Sequence, residues 1–182
     1  VAVEKKISQE DIEYLRLIRE NVRNFLKDAS ERYSFETILD IGPQNYLGPK
    51  EFFTKSRILT LDIDPNSGAD FVADICCDNS DKIASDYFDC VVCTEVLEHT
   101  LNPFKALSEI HRILRPGGVL LASAPFNFRI HGPLPDCWRF TEHGWRALLT
   151  QSGFKEVSIK SLETENRFLM PIHYTVEAEA KK

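Results

Sequence analysis

Ile38-Leu39-Asp40-Ile41-Gly42-Pro43-Gln44-Asn45-Tyr46-Leu47-Gly48 is a short apolar run that stops at an acid and turns over on a glycine. It reads as a buried strand feeding a loop at the carboxyl edge of a parallel sheet, where doubly wound α/β folds bind ligands at the reversal of strand order. Gly42 suits a backbone that approaches a ligand closely or takes a positive φ, which a side chain resists. A tight strand-to-helix turn without a ligand uses the same residues, and the rest of the chain has to decide between the two.

Outward from that stretch the pattern alternates strand and helix. Upstream, Ser8 and Asp11 form a capping signal, and Ile12, Leu15, Ile18, Val22, Phe25 and Leu26 recur at helical spacing. This predicts an amphipathic helix that packs on a sheet face, with partial cover of the pocket as the alternative. Downstream, strands are expected at 57–61, 71–73, 88–93, 119–124, 154–162 and 172–180, beside the first at 37–41. Helices are expected at about 50–54, from the Asn102-Pro103 cap to Leu114, and from Thr141 to Ser152 with Gly153 as its stop. Arg115-Pro116-Gly117-Gly118 is read as the helix stop, the glycines supplying a left-handed turn. The 182 residues suit a single domain over 1–182, with an N-terminal helical extension at 1–30 and a Rossmann-like α/β core at 36–182.

Composition narrows the class. With 43% hydrophobic and 27% charged residues, no long apolar run and no signal-peptide pattern, the expectation is a cytoplasmic protein without a membrane span. A net charge of -6 from 22 basic and 28 acidic residues, with no basic cluster, argues against long nucleic acids as partners. Cys90 and Cys93 invite a Cys-x-x-Cys reading, but in a strand an odd offset puts the thiols on opposite faces. Most of the five cysteines are read as small buried hydrophobes.

Acids at strand ends give the site its chemistry. Asp62 follows the first loop by about 20 residues, where a carboxylate accepts hydrogen bonds from both ribose hydroxyls of a nucleoside ligand. The alternative is a cap on the next turn, which is the preferred reading for Asp64. Asp74 ends the third strand in the same manner. The segment from Pro125 to Phe140 combines Pro125, Gly132, Pro133 and Pro135 with aromatic residues, His131 and Arg139, and a loop of that length in a compact domain is functional or disordered.

Strand-Asp-x-Gly, acids ending the second and third strands, Phe88-Asp89-x-Val91-x-x-x-Glu95-Val96-Leu97-Glu98-His99, and Arg115-Pro116-Gly117-Gly118 together resemble the class I S-adenosylmethionine-dependent methyltransferases, type 11 group, over about 38–154. The resemblance implies a seven-stranded sheet with six parallel strands and the last antiparallel. It implies S-adenosylmethionine as methyl donor and S-adenosylhomocysteine as product. Asp40, Gly42, Pro43 and the loop after them would hold the methionine end, Asp62 the ribose, Ile63 the adenine face, Asp74 the adenine amino group with Ile75 beside it, and Thr94 and Glu95 the edge of the site. Glu95-x-x-Glu98-His99 is also similar to the metal-binding run of some members, including small-molecule and RNA 3′-end methyltransferases. Many type 11 members carry the Glu-His pair without metal, so a structural or acceptor-proximal role is expected and no metal ligands are assigned. The run from Pro125 to Thr141 is similar to one in methyltransferases of glycan and surface-polysaccharide synthesis.

The expected function is therefore methyl transfer to an oxygen or nitrogen of a small-molecule or glycan-related acceptor. His131 and His99 are the candidate bases for a hydroxyl acceptor, because an imidazole is largely neutral at cell pH. A hydrogen-bonded structural histidine is the alternative for each. Gln44 and Tyr46 stand where the family usually carries glycine, which keeps open a cofactor-binding module without transfer activity. A nicotinamide oxidoreductase ranks behind both, for want of a Gly-x-Gly-x-x-Gly turn.

Overall fold

The computed structural model describes residues 8–163 and 171–182. Its centre is a seven-stranded sheet in the order β3-β2-β1-β4-β5-β7-β6. The strands are β1 (Thr37–Ile41), β2 (Arg57–Asp62), β3 (Phe71–Val72), β4 (Phe88–Thr94), β5 (Leu114–Pro125), β6 (Phe154–Leu162) and β7 (His173–Ala180). The pairs β1–β2, β1–β4, β2–β3 and β4–β5 are parallel, while β7 runs antiparallel to both β5 and β6. Six strands thus share one direction and β7 opposes them, as the resemblance implies. Strand order reverses beside β1, which places the Gly42 loop at the crevice between the β2 and β4 sides.

Period-two alternation divides the sheet into two faces. Leu39, Ile41, Val91, Cys93, Leu120 and Ala122 pack against α2 (Pro103–Ile113) and α3 (Glu142–Gln151) on one side. Ile38, Cys90, Val92 and Leu121 pack against Phe25, Leu26 and Ala29 of α1 (Gln9–Arg32) on the other. Cys90 and Cys93 therefore lie on opposite faces, both fully buried, where burial pushes each thiol up. Cys77 and Cys137 are exposed and Cys76 is half-buried, so the buried-hydrophobe reading fits two of the five.

Local chemistry explains the helix ends. Ser8 accepts from Asp11 N while the Asp11 carboxylate accepts from Ser8 N, closing the capping box in front of α1. Asn102 caps α2 with Pro103 in its first turn, and Thr141 caps α3. Two expectations are corrected. The helix expected at about 50–54 is a 3₁₀ turn at Gly48–Glu51, begun by Pro49, which lacks an N–H and is tolerated at a helix start. The Arg115-Pro116-Gly117-Gly118 run is absorbed into β5 instead of preceding it. Leu114 pairs with Phe88 and Val119 with Cys90, so the run bulges from a continuing ladder. Only Gly117 takes positive φ, and a Cβ on Gly118 would meet Arg115 O at 2.9 Å.

The end of α1 is fixed to the sheet by one buried carboxylate. Arg32 donates to both oxygens of Glu177 at 2.9 and 2.7 Å, and Tyr33 OH donates to Oε1. Glu177 is 2% exposed; burial raises its pKa, but Arg32 and Tyr33 outweigh that and hold it below the usual carboxylate range. A depressed folded pKa means that this contribution is present above the ordinary carboxylate pKa and is lost as pH falls through the folded value. Among the described residues no helix is long and apolar enough to cross a membrane. Arg32→Ala is expected to lower stability by about 1–3 kcal/mol near neutral pH, because a buried acceptor loses its partner. Denaturant unfolding checks this, and adding Glu177→Gln to Arg32→Ala should restore part of the loss; an unchanged midpoint in Arg32→Ala would contradict the tether.

Candidate active site

The carboxyl ends of β1, β2 and β4 open into two connected cavities. A groove of about 1030 Å³ runs past Gly42, Asp62, Ile63, Asp74 and Ile75. A second pocket of about 330 Å³ lies beneath α1, walled by Ile18, Val22, Phe52 and Tyr46 and reaching Asp40, Thr94 and His131. Gly42, Pro43, Gln44, Glu95, His99 and Gly132 line both. All the expected site residues are thus brought to one sheet edge. Asp40, Thr94 and His131 face the α1 pocket, and the acids of β2 and the β3 end face the groove. The N-terminal helix both packs on the sheet and covers the pocket, which joins the two roles set out as alternatives.

The first loop is built on left-handed backbone. Gly42 has φ +64°, and a Cβ there would stand 3.0 Å from Val96 Cγ2. Gln44 adopts φ 49° with a side chain, so the backbone path that glycine normally supplies is kept despite the substitution. Asp62 Oδ1 accepts from Asp64 N at 2.9 Å, and Asp64 Oδ1 from Asn66 N at 2.8 Å, so both acids also organise turns. Asp74 Oδ1 accepts from Cys76 N at 2.8 Å.

Past β4 the chain departs from helical geometry. Glu95 has φ 56°, a conformation costly for a non-glycine residue, and only Leu97–His99 form a 3₁₀ turn. Glu95 and Glu98 therefore do not share a helical face. Glu95 Oε1 accepts from Ser123 Oγ at 2.8 Å and lies 2.7 Å from Nε2 of the fully buried His173, whose Nδ1 is 2.9 Å from Asn21 Nδ2 on α1. With a carboxylate on one side and an amide N–H on the other, the His173 ring donates from Nε2 and accepts at Nδ1. Burial raises the Glu95 pKa, yet His173 and Ser123 bring it below its ordinary value. Asn21, Ser123 and His173 were missed in the sequence; a histidine and a glutamate inside the apolar run of β7 were the available signal.

Glu98 is the opposite case. It is fully buried, neither carboxylate oxygen has a hydrogen-bond partner among the described residues, and burial followed by the Glu95 charge pushes its pKa well above the usual range. His99 Nε2 and His131 Nε2 lie 3.7 and 3.9 Å from Glu98 Oε1. His99 Nδ1 sits 3.0 Å from Pro135 O, and His131 Nδ1 sits 3.3 Å from Arg129 O and 3.1 Å from Asp136 Oδ2. Burial would raise the Asp136 pKa, but Arg139 and the His131 N–H bring it down to about 2. Burial lowers the His131 pKa against the pull of Asp136. The loop carrying His131 is anchored as well: Cys137 N and Trp138 N donate to Glu98 O, and Trp138 Nε1 donates to Thr100 O.

This arrangement of sheet, reversal point and acids at strand ends is that of the class I methyltransferases. Residues 39–122 match the model of the methyltransferase domain family. Over those residues, a little under half of the chain, it is similar to this family, and the whole chain has the fold of S-adenosylmethionine-dependent methyltransferases. No curated protein matches the chain in sequence. Among solved structures, a chain from the complex of the Haloferax volcanii Trm112 methyltransferase activator with a methyltransferase is similar, at TM-score 0.71 and 16% identity, covering 92% of this chain and 93% of that one. The N-methyltransferase NodS of Bradyrhizobium japonicum WM9 gives TM-score 0.64 at 16% identity, covering 90% and 96%. The CurJ carbon methyltransferase gives TM-score 0.67 at 18% identity, covering 91% of this chain but 55% of that one.

The donor set fits S-adenosylmethionine. The turn at Gly42 has no room for a side chain, carboxylates end β2 and follow β3, and Ile63, an apolar side chain 67% exposed, lies along the groove. Asp40 is 3% exposed with Oδ2 unpartnered beneath Gly48, and burial, opposed by the Lys50 charge, raises its pKa to about 7. A raised folded pKa makes the folded state hold its proton more tightly, so stability falls as pH climbs from the ordinary carboxylate range to about 7. The slope for one such group is about 1.4 kcal/mol per pH unit. Asp40→Asn is therefore expected to raise the melting temperature relative to wild type at about pH 8 and to leave it nearly unchanged at about pH 4, below the unfolded pKa. A difference independent of pH would contradict a neutral, buried Asp40.

Proposed function

We propose that the chain transfers a methyl group from S-adenosylmethionine to an oxygen or nitrogen of a small-molecule or glycan-related acceptor held in the pocket beneath α1. The observation that carries this reading is the meeting of the two cavities at Gly42, Glu95 and His99. S-adenosylmethionine, when bound, would supply a methyl group activated by its bond to a sulfonium, the acceptor lone pair forming the new bond to carbon as the sulfur–carbon pair returns to sulfur.

The protein's part is to hold and to exclude. Asp62 accepts from the ribose hydroxyls, Asp74 from the adenine amino group, and Ile63 and Ile75 cover the ring. Asp40, Gly42, Pro43, Thr94 and Glu95 border the methionine end. His131 and His99 are the catalytic residues, their Nε2 atoms turned toward one point where the acceptor gives up its proton. Tyr46, Phe52 and the apolar face of α1 keep water from the acceptor. Helix α1 thus acts with the core as one domain.

The acceptor atom depends on this pocket more than on the fold, since similar folds serve as a carbon methyltransferase and an N-methyltransferase. The glycan-related assignment rests on the run from Pro125 to Thr141, in which Trp138 and Phe140 are stacked.

Asp62→Ala is expected to weaken S-adenosylhomocysteine binding by about 1.5–3 kcal/mol, the range for hydrogen bonds to a charged group. Calorimetry measures this directly, and an unchanged dissociation constant in the folded variant removes Asp62 from the site. Labelled methyl donor with a pool of cell metabolites should give labelled product. His131→Ala should cut that transfer by about 10²–10⁴ while leaving S-adenosylhomocysteine affinity nearly unchanged. Donor binding without transfer to any metabolite would favour the binding-module alternative.

A further inference from the structure

Glu98 poses a problem that protein groups alone leave unsolved. A carboxyl group removed from water, charged or neutral, costs free energy unless it is hydrogen-bonded or coordinates a metal, and this one is fully buried with both oxygens unpartnered among the described residues. The separations of 3.7 and 3.9 Å from the two imidazoles are too long for hydrogen bonds. The ligand atoms of Glu98, His99 and His131 nevertheless all lie within 4.8 Å of one another.

The two rings are oriented from behind. Pro135 O accepts from His99 Nδ1, and Arg129 O with Asp136 Oδ2 face His131 Nδ1, so each Nδ1 carries the hydrogen and each Nε2 presents a lone pair. Asp136 is itself fixed by Arg139 Nη2 at 2.8 Å and by His131 N at 2.9 Å. A carbonyl or carboxylate behind each imidazole is the outer-shell pattern of metal-ligating histidines.

We propose that Glu98, His99 and His131 bind one divalent transition-metal ion, with two nitrogens and one carboxylate oxygen as protein ligands. Two imidazoles favour ions of the zinc, iron, cobalt or manganese type over magnesium or calcium, which take oxygen ligands. Bond lengths of about 2.0–2.2 Å put ligand atoms about 3–3.5 Å apart, so the two Glu98 separations shorten by only about half an ångström on binding. Glu95 is not a ligand, because Ser123 and His173 engage its Oε1.

Three protein ligands leave coordination positions open. His99 lines both cavities and His131 the α1 pocket, so those positions face the place where donor and acceptor meet. An ion there selects an acceptor with an oxygen donor, a hydroxyl or a pair of adjacent hydroxyls, and lowers the pKa of the oxygen it holds. With the ion bound, the Nε2 lone pairs of His99 and His131 are taken up in holding it, so the ion replaces the two imidazoles as the group that activates the acceptor oxygen. This role for the ion rests on the proposed methyl transfer, whereas the existence of the ion site does not.

The test is a calorimetric titration of the metal-stripped full chain with Zn²⁺ and with Mn²⁺, with no donor or acceptor present. One ion per chain is expected. Asp136→Asn should weaken binding by about 10–100-fold, as outer-shell losses do, and Glu98→Gln and His131→Ala by more. The exposed His143→Ala should leave it unchanged. Glu98→Gln in the stripped form should unfold near the wild-type temperature, because an amide of the same shape replaces a buried carboxyl group that has no hydrogen-bond partner among the described residues, so this variant carries the test if His131→Ala fails to fold. Failure of the wild type to bind either ion, or binding that survives Glu98→Gln, would overturn the site. S-adenosylhomocysteine titrated into the same stripped protein separates the two readings. Donor binding without metal binding sinks the ion and keeps the transferase; metal binding without donor binding does the reverse.

Discussion

The turn at Gly42 is the constraint on which the rest of the site depends. Its left-handed φ of +64° takes the chain out of β1, and Val96 fills the space where a Cβ would go. Because β1 lies between β2 and β4, that turn stands at the reversal of strand order. Acids at the ends of β2 and the short β3 then reach one side of it and the Glu95–His99 segment reaches the other. A side chain at 42 would push on Val96 and so on the path that carries Glu95 out of β4.

The second organising feature is the use of buried polar groups to join distant elements. Arg32 and Tyr33 meet Glu177, and Asn21 meets His173, which meets Glu95. Both links run from α1 to β7, and the second continues to the site. Position of the helix and shape of the pocket are therefore coupled through hydrogen bonds in a partly water-free setting, where such bonds are strong when complete and costly when broken. The helix that walls the pocket cannot shift without disturbing Glu95.

Much of the fold was legible because its signals are local. Apolar runs bounded by glycine, proline and acids gave the strands, Ser8, Asn102 and Thr141 gave the helix starts, and strand alternation separated Cys90 from Cys93. Local signals also misled at Arg115-Pro116-Gly117-Gly118, where two glycines and a proline read as a stop although the pairing of Leu114 with Phe88 keeps the ladder going. The cofactor-side candidates were legible as residue types at strand ends. The His173–Glu95 pair spans 78 positions and has no local pattern, so it waited for the register of β7 beside β5. The approach of His131 to Glu98 was hidden for the same reason: it needs the loop to fold back and bond Cys137 N and Trp138 N to Glu98 O.

The central claim is spatial: the donor lies in the groove with its reactive end toward His99 and His131, at the mouth of the α1 pocket. A crystal structure of the chain with S-adenosylhomocysteine bound measures it most directly. The account predicts the ribose hydroxyls on Asp62 and the sulfur at the junction beside Gly42 and Glu95, facing the two imidazoles. A ligand that left Asp62 untouched, or that turned its sulfur away from the α1 pocket, would contradict it.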